Sequence, residues 1–189
     1  MTTKMREEID EIPAAAARLL ETSRTVIAEA ATALRDKDPG VVVTIARGSS
    51  DHAAHFLKYA IELQMGLPVA SLGPSLASIY EVPMKLGKAG AFAVSQSGAS
   101  PDIVAMAKGV RHGGATTVSL VNTLPSPLAD AATFAVDIKA GPEIAVAATK
   151  SFVNSIVAGL AILASWSRDE ALTRAVDALP EHFDKALAL

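Results

Sequence analysis

Short apolar runs alternate with amphipathic stretches along most of the chain, and polar loops separate them. The apolar runs are rich in Val, Ile, Leu and Ala and predict five buried strands, at 41–46, 69–72, 90–94, 116–121 and 133–138. Helical stretches are predicted at 4–36, 52–65, 75–80, 101–112, 128–132, 145–167, 169–179 and 181–189. Repeated β-α units predict an α/β fold, a flavodoxin-like doubly wound five-stranded parallel sheet with helices on both faces.

Breaks in this pattern divide the chain into three parts. The polar stretch from Asp36 to Gly40 ends an N-terminal helical lead-in, residues 1–40. The β-α units fill residues 41–168, and residues 169–189 form closing helices with Pro180 between them.

The stretch after the third strand combines hydroxyl groups, an amide and a glycine. Ser95, Gln96, Ser97 and Ser100 surround Gly98, and Ser100-Pro101-Asp102 predicts a helix start with serine as N-cap. A strand, a hydroxyl-rich loop and a helix N-terminus form a typical anion site. Serine-rich loops of this kind often bind nothing, and the Asp102 carboxylate would compete with a bound anion. Both interpretations stay open.

A second loop of the same kind follows the first strand. Gly48, Ser49 and Ser50 stand between that strand and the next helix. Loops that follow parallel strands lie at one edge of the sheet, where open α/β folds bind ligands. The repetition therefore favours an anion site at this edge.

Composition excludes several classes of function. The net charge is −3 without a basic run, which gives nucleic-acid binding no electrostatic support. The absence of cysteine excludes disulfides, a thiolate nucleophile and cysteine-ligated zinc. No apolar stretch reaches the ~20 residues of a membrane span, and the polar N-terminus has no signal-peptide core. We therefore expect a cytoplasmic protein without membrane association.

Four segments together resemble the sugar isomerase (SIS) domain family. They are Gly48-Ser49-Ser50 with Lys58, Tyr59 and Glu62; Ser95-Gln96-Ser97-Gly98; Asn122 with Ser126; and Ala140-Gly141-Pro142-Glu143 with residues 146–152. They occur in the family's order over most of residues 41–160, and residues 5–13 are similar to the family's lead-in.

The resemblance implies roles for individual residues. Ser95, Ser97 and Ser100 would hold a sugar phosphate with Gln96 beside them, and Ser49 and Ser50 would bind hydroxyls or phosphate from the neighbouring loop. The backbone around Val146 would contact the sugar. The family implies glucosamine 6-phosphate or fructose 6-phosphate as ligand, and no metal or organic cofactor.

The chain also departs from the family's aminotransferase branch. Ala99-Ser100-Pro101-Asp102 and residues 74–80 look more like the glucosamine-6-phosphate deaminases, and no N-terminal cysteine is present to release ammonia from glutamine. Family enzymes usually carry two SIS lobes, of which the second supplies proton transfer and ring opening. We therefore expect a truncated chain or a half-length gene product, with a second lobe missing after Leu189 and no catalytic base identified here.

Three further candidates have competing interpretations. Asp51, His52 and His55 lack a third ligand at sensible spacing, so a polar rim or subunit contact is favoured over a metal site. Glu143 is the best candidate acid of this lobe, and capping the following helix is an equal alternative. Lys150 could meet phosphate, but an ion pair is favoured.

Two functions follow from these residues. One is a sugar-phosphate-binding lobe of an amino-sugar-phosphate isomerase or deaminase, and the other is a non-catalytic sugar-phosphate sensor. Half of the residues are hydrophobic and the mean hydropathy is positive. This excess, above all in the helix predicted at 145–167, leads us to expect a homodimer.

Overall fold

A single five-stranded sheet organises the chain, and the computed structural model describes residues 2–189. The strands are β1 Val41–Ile45, β2 Val69–Ser71, β3 Ala89–Ser95, β4 Thr116–Val121 and β5 Phe134–Asp137. They pair in parallel in the order β2-β1-β3-β4-β5, so the predicted doubly wound fold is confirmed. The strand order reverses between β1 and β3, which places a crevice at the carboxyl ends of these two strands.

Helices cover both faces of the sheet. They are α1 Lys4–Asp10, α2 Ile12–Thr22, α3 Arg24–Lys37, α4 Ser49–Met65, α5 Ser75–Ser78, α6 Pro101–His112, α7 Pro127–Ala131, α8 Lys150–Ser167, α9 Glu170–Asp177 and α10 Leu179–Leu187. One core lies among the sheet and α2, α3, α4 and α8, and the other among the sheet and α5, α6 and α7. Among residues 2–189, no helix is long and apolar enough to cross a membrane.

Strand β3 packs against both cores and ends at the polar edge of the sheet. All seven of its residues are buried, and alternate side chains enter opposite cores: Phe92 and Val94 on one face, Ala91 and Ala93 on the other. The chain leaves this closely packed strand at Ser95. The hydroxyl-rich loop therefore begins on a rigid support.

The helical stretches differ from the prediction at four points. Helix α4 begins at Ser49, not at 52, so Ser49 and Ser50 lie in its first turn. The lead-in divides at Glu11 and Ser23 into three helices, and the Ser23 hydroxyl donates to the carbonyl of Asp137 (2.8 Å). Helix α8 begins at Lys150, not at 145, because carboxylate contacts hold residues 144–149 as a loop. Pro180 does not separate two helices but lies in the first turn of α10, where proline is tolerated.

Helix α8 is the central helix of the larger core. It packs against α2, α3, α4 and α9, and eleven of its residues are buried within the chain itself. Gly159 permits this packing, since a β-carbon there would lie 2.2 Å from Leu57 Cδ2 of α4. The apolar character of α8 therefore does not by itself indicate a subunit interface, and the homodimer stays a prediction. Its apolar surface is covered by the helices of its own chain.

Candidate functional site

A pocket of about 220 Å³ opens at the carboxyl edge of the sheet. Its lining residues come from the first turn of α4, from the β3–α6 and β5–α8 connections and from α8: Ser49, Ser50, Gln96, Glu143, Ala145, Val146, Ala148, Ser151, Phe152 and Ser155. Five of the predicted site residues meet here, namely Ser49, Ser50, Gln96, Glu143 and Val146. The structure does not place Gly48, Ser95, Ser97 or Ser100 in the lining.

The serines of the β3–α6 loop differ in their surroundings. Ser95 is buried, and its hydroxyl accepts a hydrogen bond from the Gly98 N–H (3.1 Å), which closes the turn. Ser97 is exposed, and its hydroxyl accepts from the Ala99 N–H (3.3 Å). Ser100 occupies the N-cap position of α6, as predicted, but its side chain makes no capping hydrogen bond. The hydroxyl protons of Ser97 and Ser100 therefore remain available as donors.

Backbone contacts fasten this loop to the segment after β4. The Asn122 N–H donates to the Gln96 carbonyl (3.2 Å), and the Leu128 N–H donates to the Gly98 carbonyl (3.0 Å). Gly98 has a φ of +64°, and a β-carbon there would lie 2.4 Å from Ser126 Oγ. Only glycine fits this close approach without displacing its neighbour. The conformation of the loop is thus fixed by packing as well as by its own turn.

The neighbouring β1–α4 loop neutralises a charge that would oppose an anion. Arg47 forms a salt bridge with Asp102 in the first turn of α6 (2.9 Å), so this carboxylate does not stand alone at the helix terminus. Gly48 has a φ of +59° and leads directly into Ser49 and Ser50 at the start of α4. His52 and His55 lie exposed further along the same helix.

Glu143 acts as the cap of α8. Its carboxylate accepts from the Thr149 and Ser151 N–H groups (2.9 and 3.1 Å), from the Thr149 hydroxyl (3.1 Å) and from the Ser151 hydroxyl. Burial alone would raise the pKa of Glu143, but these hydrogen bonds outweigh it and hold the pKa below its ordinary value. Of the two roles considered from the sequence, the geometry favours capping over acid–base work.

Lys150 forms the ion pair that the sequence favoured. Its side chain is almost fully buried, and its ammonium contacts the Glu11 carboxylate at the junction of α1 and α2. Nearby, Asn122 donates to the carbonyl of Gly141 (2.8 Å) and accepts from the Ala140 N–H (2.8 Å). Both contacts hold the start of the β5–α8 loop.

The sequence of this chain matches a known protein family over most of its length. The SIS domain family matches residues 35–165. The chain belongs to the SIS domain family.

Relatives of this SIS domain include glutamine–fructose-6-phosphate aminotransferases. The glutamine–fructose-6-phosphate aminotransferase of Sulfurisphaera tokodaii is 34% identical over 160 residues, which are 84% of this chain and 26% of that protein. The crystal structure of a candidate phosphosugar isomerase from Silicibacter pomeroyi is 53% identical, with a TM-score of 0.96, and the match covers 98% of this chain and 57% of that one. The C-terminal domain of the aminotransferase from Francisella tularensis shares the fold at 22% identity (TM-score 0.78, covering all of this chain and 55% of that domain).

The SIS domain described here therefore spans about a quarter of the curated relative and just over half of the similar crystal structure. It is related to the SIS domains of these aminotransferases and phosphosugar isomerases.

Sequence reasoning missed half of the pocket lining in this SIS domain. The missed residues are Ala145, Ala148, Ser151, Phe152 and Ser155. Three of these five, Ala148, Ser151 and Phe152, lie within the last segment on which the resemblance rests, and Ala145 directly precedes residue 146, so that segment carried a signal. Ser155 lies beyond it, one turn after Ser151 on α8, and only the helix geometry places the two hydroxyl residues on one side.

Proposed function

We propose that this SIS domain is a sugar-phosphate-binding lobe of an amino-sugar-phosphate isomerase or deaminase, acting on glucosamine 6-phosphate and fructose 6-phosphate. The observation that carries the proposal is the convergence of Ser49, Ser50 and Gln96 with the β5–α8 loop around one pocket. Hydroxyl, amide and backbone groups suit an uncharged polyol, and the adjacent start of α6 suits its phosphate.

The phosphate would bind at the β3–α6 loop, beside the pocket. Ser97 and Ser100 are not in the lining, but each has a hydroxyl proton free to donate. The Arg47 guanidinium cancels the Asp102 charge close to this point. The sugar would then extend from the phosphate toward Gln96 and the backbone around Val146.

Proton transfer would come from a second lobe. Aldose–ketose chemistry needs an acid–base group to move a proton between C1 and C2. Glu143 is the one ionisable residue in the pocket lining, and its lowered pKa and its capping contacts make it a weak base. The pocket is also smaller than the ~300–1,000 Å³ of most complete ligand sites, as expected for half of a site.

A homodimer would bring such a second lobe, and the exposed face of α4 is the surface that suits it. Phe56, Tyr59 and Leu63 project from one side of this helix with exposed fractions of 48%, 60% and 83%. The helix begins at Ser49 and Ser50, so a partner seated on it would lie next to the pocket.

Calorimetric titration of the purified chain with each of the two sugar phosphates, with ammonia release measured on the same sample, tests the proposal. We expect binding of both sugars without turnover by the lobe alone, and turnover once a partner lobe is added. Absence of binding for both sugars would remove the substrate assignment.

A sensor of sugar phosphate is the second candidate. The lack of a free base in the lining favours a sensor as much as it favours an enzyme lobe that needs a partner. A sensor would bind the ligand but gain no turnover from any partner lobe. Ammonia release by the purified chain alone would rule out the sensor, and it would mean that this lobe, as a homodimer, carries its own base, with Glu143 the first residue to replace.

A further inference from the structure

The N-terminal helix α1 contacts the pocket wall through a single buried carboxylate. Glu8 is the one residue of this helix that is buried, at 5% exposure, while most of its neighbours face solvent. Its Oε1 accepts hydrogen bonds from the N–H groups of Ile144 and Ala145, and its Oε2 also accepts from Ala145 (3.3 Å). Ala145 and the following Val146 line the pocket.

This contact joins two segments that are far apart in the sequence. Glu8 and Ala145 lie 137 residues apart, Glu8 on α1 and Ala145 in the β5–α8 loop. A buried carboxylate is costly unless its oxygens are satisfied, and here the loop supplies the donors. The loop, in turn, has no regular structure from Lys139 to Thr149. The Glu8 carboxylate therefore accepts hydrogen bonds from loop N–H groups that have no partner in regular structure, and these N–H groups satisfy the buried carboxylate in return.

We propose that Glu8 is a positioning residue for the sugar-facing wall of the pocket, and that docking of α1 is coupled to sugar binding. Glu8 fixes the peptide groups of Ile144 and Ala145, and thereby the backbone around Val146. The inference rests on the proposed function, since it assigns the β5–α8 loop to the sugar and the β3–α6 loop to the phosphate.

The coupling follows from the way in which α1 is held. A seven-residue helix is not stable on its own in water, so its docking depends on tertiary contacts. The Glu8 contacts and the adjacent Glu11–Lys150 ion pair supply them. A sugar that binds only when residues 144–146 are ordered must also favour the docked helix, because linkage between two such equilibria is reciprocal.

The test compares Glu8→Gln with Glu7→Gln, a matched change on the exposed side of the same helix. Glutamine keeps the shape of Glu8 but replaces one acceptor oxygen with a donor that faces backbone N–H groups. We expect Glu8→Gln to weaken glucosamine 6-phosphate binding about five- to tenfold, within the range of a hydrogen bond to a charged group. Binding of inorganic phosphate should change by less than about twofold, and Glu7→Gln should alter neither ligand.

Equal weakening of both ligands, or of neither, would overturn the positioning role while leaving the proposed function in place. If the parent chain binds neither ligand, the proposed function fails and the positioning role fails with it. If Glu8→Gln does not fold, hydrogen exchange on the parent chain decides. Glucosamine 6-phosphate should then slow exchange in both α1 and residues 144–146, and inorganic phosphate should slow neither. Protection of the loop without α1 would contradict the coupling.

Discussion

Replacing Gly98 with alanine tests whether the hydroxyl loop is packed as tightly as the structure indicates. The new β-carbon would lie 2.4 Å from Ser126 Oγ and 2.7 Å from Val121 Cγ2. Both distances are shorter than the contacts that β-carbons make in real structures. The backbone at this position also has a φ of +64°, which alanine adopts only with strain. Two separate penalties therefore act on one substitution.

Each penalty has a known size. The left-handed backbone costs about 1 kcal/mol, and overpacking of a closed contact costs about 1–3 kcal/mol, so Gly98→Ala should lower the free energy of unfolding by about 2–4 kcal/mol. Gly66→Ala is the matched control, because Gly66 has a φ of +65° but no atom within 4 Å of the β-carbon position. It should cost only the backbone term of about 1 kcal/mol.

Urea unfolding of the parent and both variants measures the two terms, and titration with glucosamine 6-phosphate measures the effect on the site. We expect Gly98→Ala alone to weaken ligand binding, because Ser126 would displace the loop that carries Ser97. Gly66 lies at the far end of α4 and should leave binding unchanged. Equal destabilisation by the two variants would refute the close contact between the hydroxyl loop and Ser126.

Three further predictions follow from single contacts. Ser97→Ala should weaken sugar-phosphate binding by about 1–3 kcal/mol in calorimetry, and unchanged affinity would contradict the phosphate assignment. Glu11→Gln should lower the free energy of unfolding by about 2–4 kcal/mol, because it leaves the buried Lys150 ammonium unpaired. Lys150→Met should lower it by less, because the Glu11 carboxylate that it leaves unpaired is exposed. Urea unfolding in which Lys150→Met is the more damaging change would refute this account of the ion pair. The pKa of Glu143 is lowered on folding, so its contribution to stability is full above the unfolded value of about 4.3 and is lost as pH falls through the lower folded value. The unfolding temperature should therefore fall more steeply with decreasing pH below about pH 4.5 in the parent than in Glu143→Gln.

The sheet could be predicted because its signals are local. Each strand is a short apolar run between polar breaks, and the order of β-α units admits few topologies. Helix α6 begins at Pro101 and ends at His112, as expected from the proline start and the glycines that follow. The two hydroxyl loops then had to lie at one edge, because the strands before them are parallel neighbours.

The β5–α8 loop could not be predicted in the same way. Residues 145–149 are apolar and small enough to continue the helix that follows, and local propensity extends it by five residues. The competing contacts come from Glu8 and from Glu143, whose carboxylates take up the N–H groups that an earlier helix start would use. Tertiary hydrogen bonds override propensity here, and no pattern within the segment reveals them.

The same limit applies to the homodimer expected from helix α8. A long apolar helix indicates burial, but its sequence does not say whether the cover comes from its own chain or from a partner. Here α2 and α3 of the lead-in supply that cover together with α4 and α9, although the lead-in lies more than a hundred residues earlier in the sequence. Phe56, Tyr59 and Leu63 of α4 are among the large apolar residues that stay exposed. The lead-in thus does more than precede the domain. Helices α2 and α3 complete its core, Glu8 holds the loop that lines the pocket, and Glu11 pairs with Lys150 at the start of α8. A chain that begins at Ile12 would keep the sheet and the hydroxyl loops. It would lose the Glu8 carboxylate that contacts the pocket wall and the Glu11 carboxylate that pairs with Lys150.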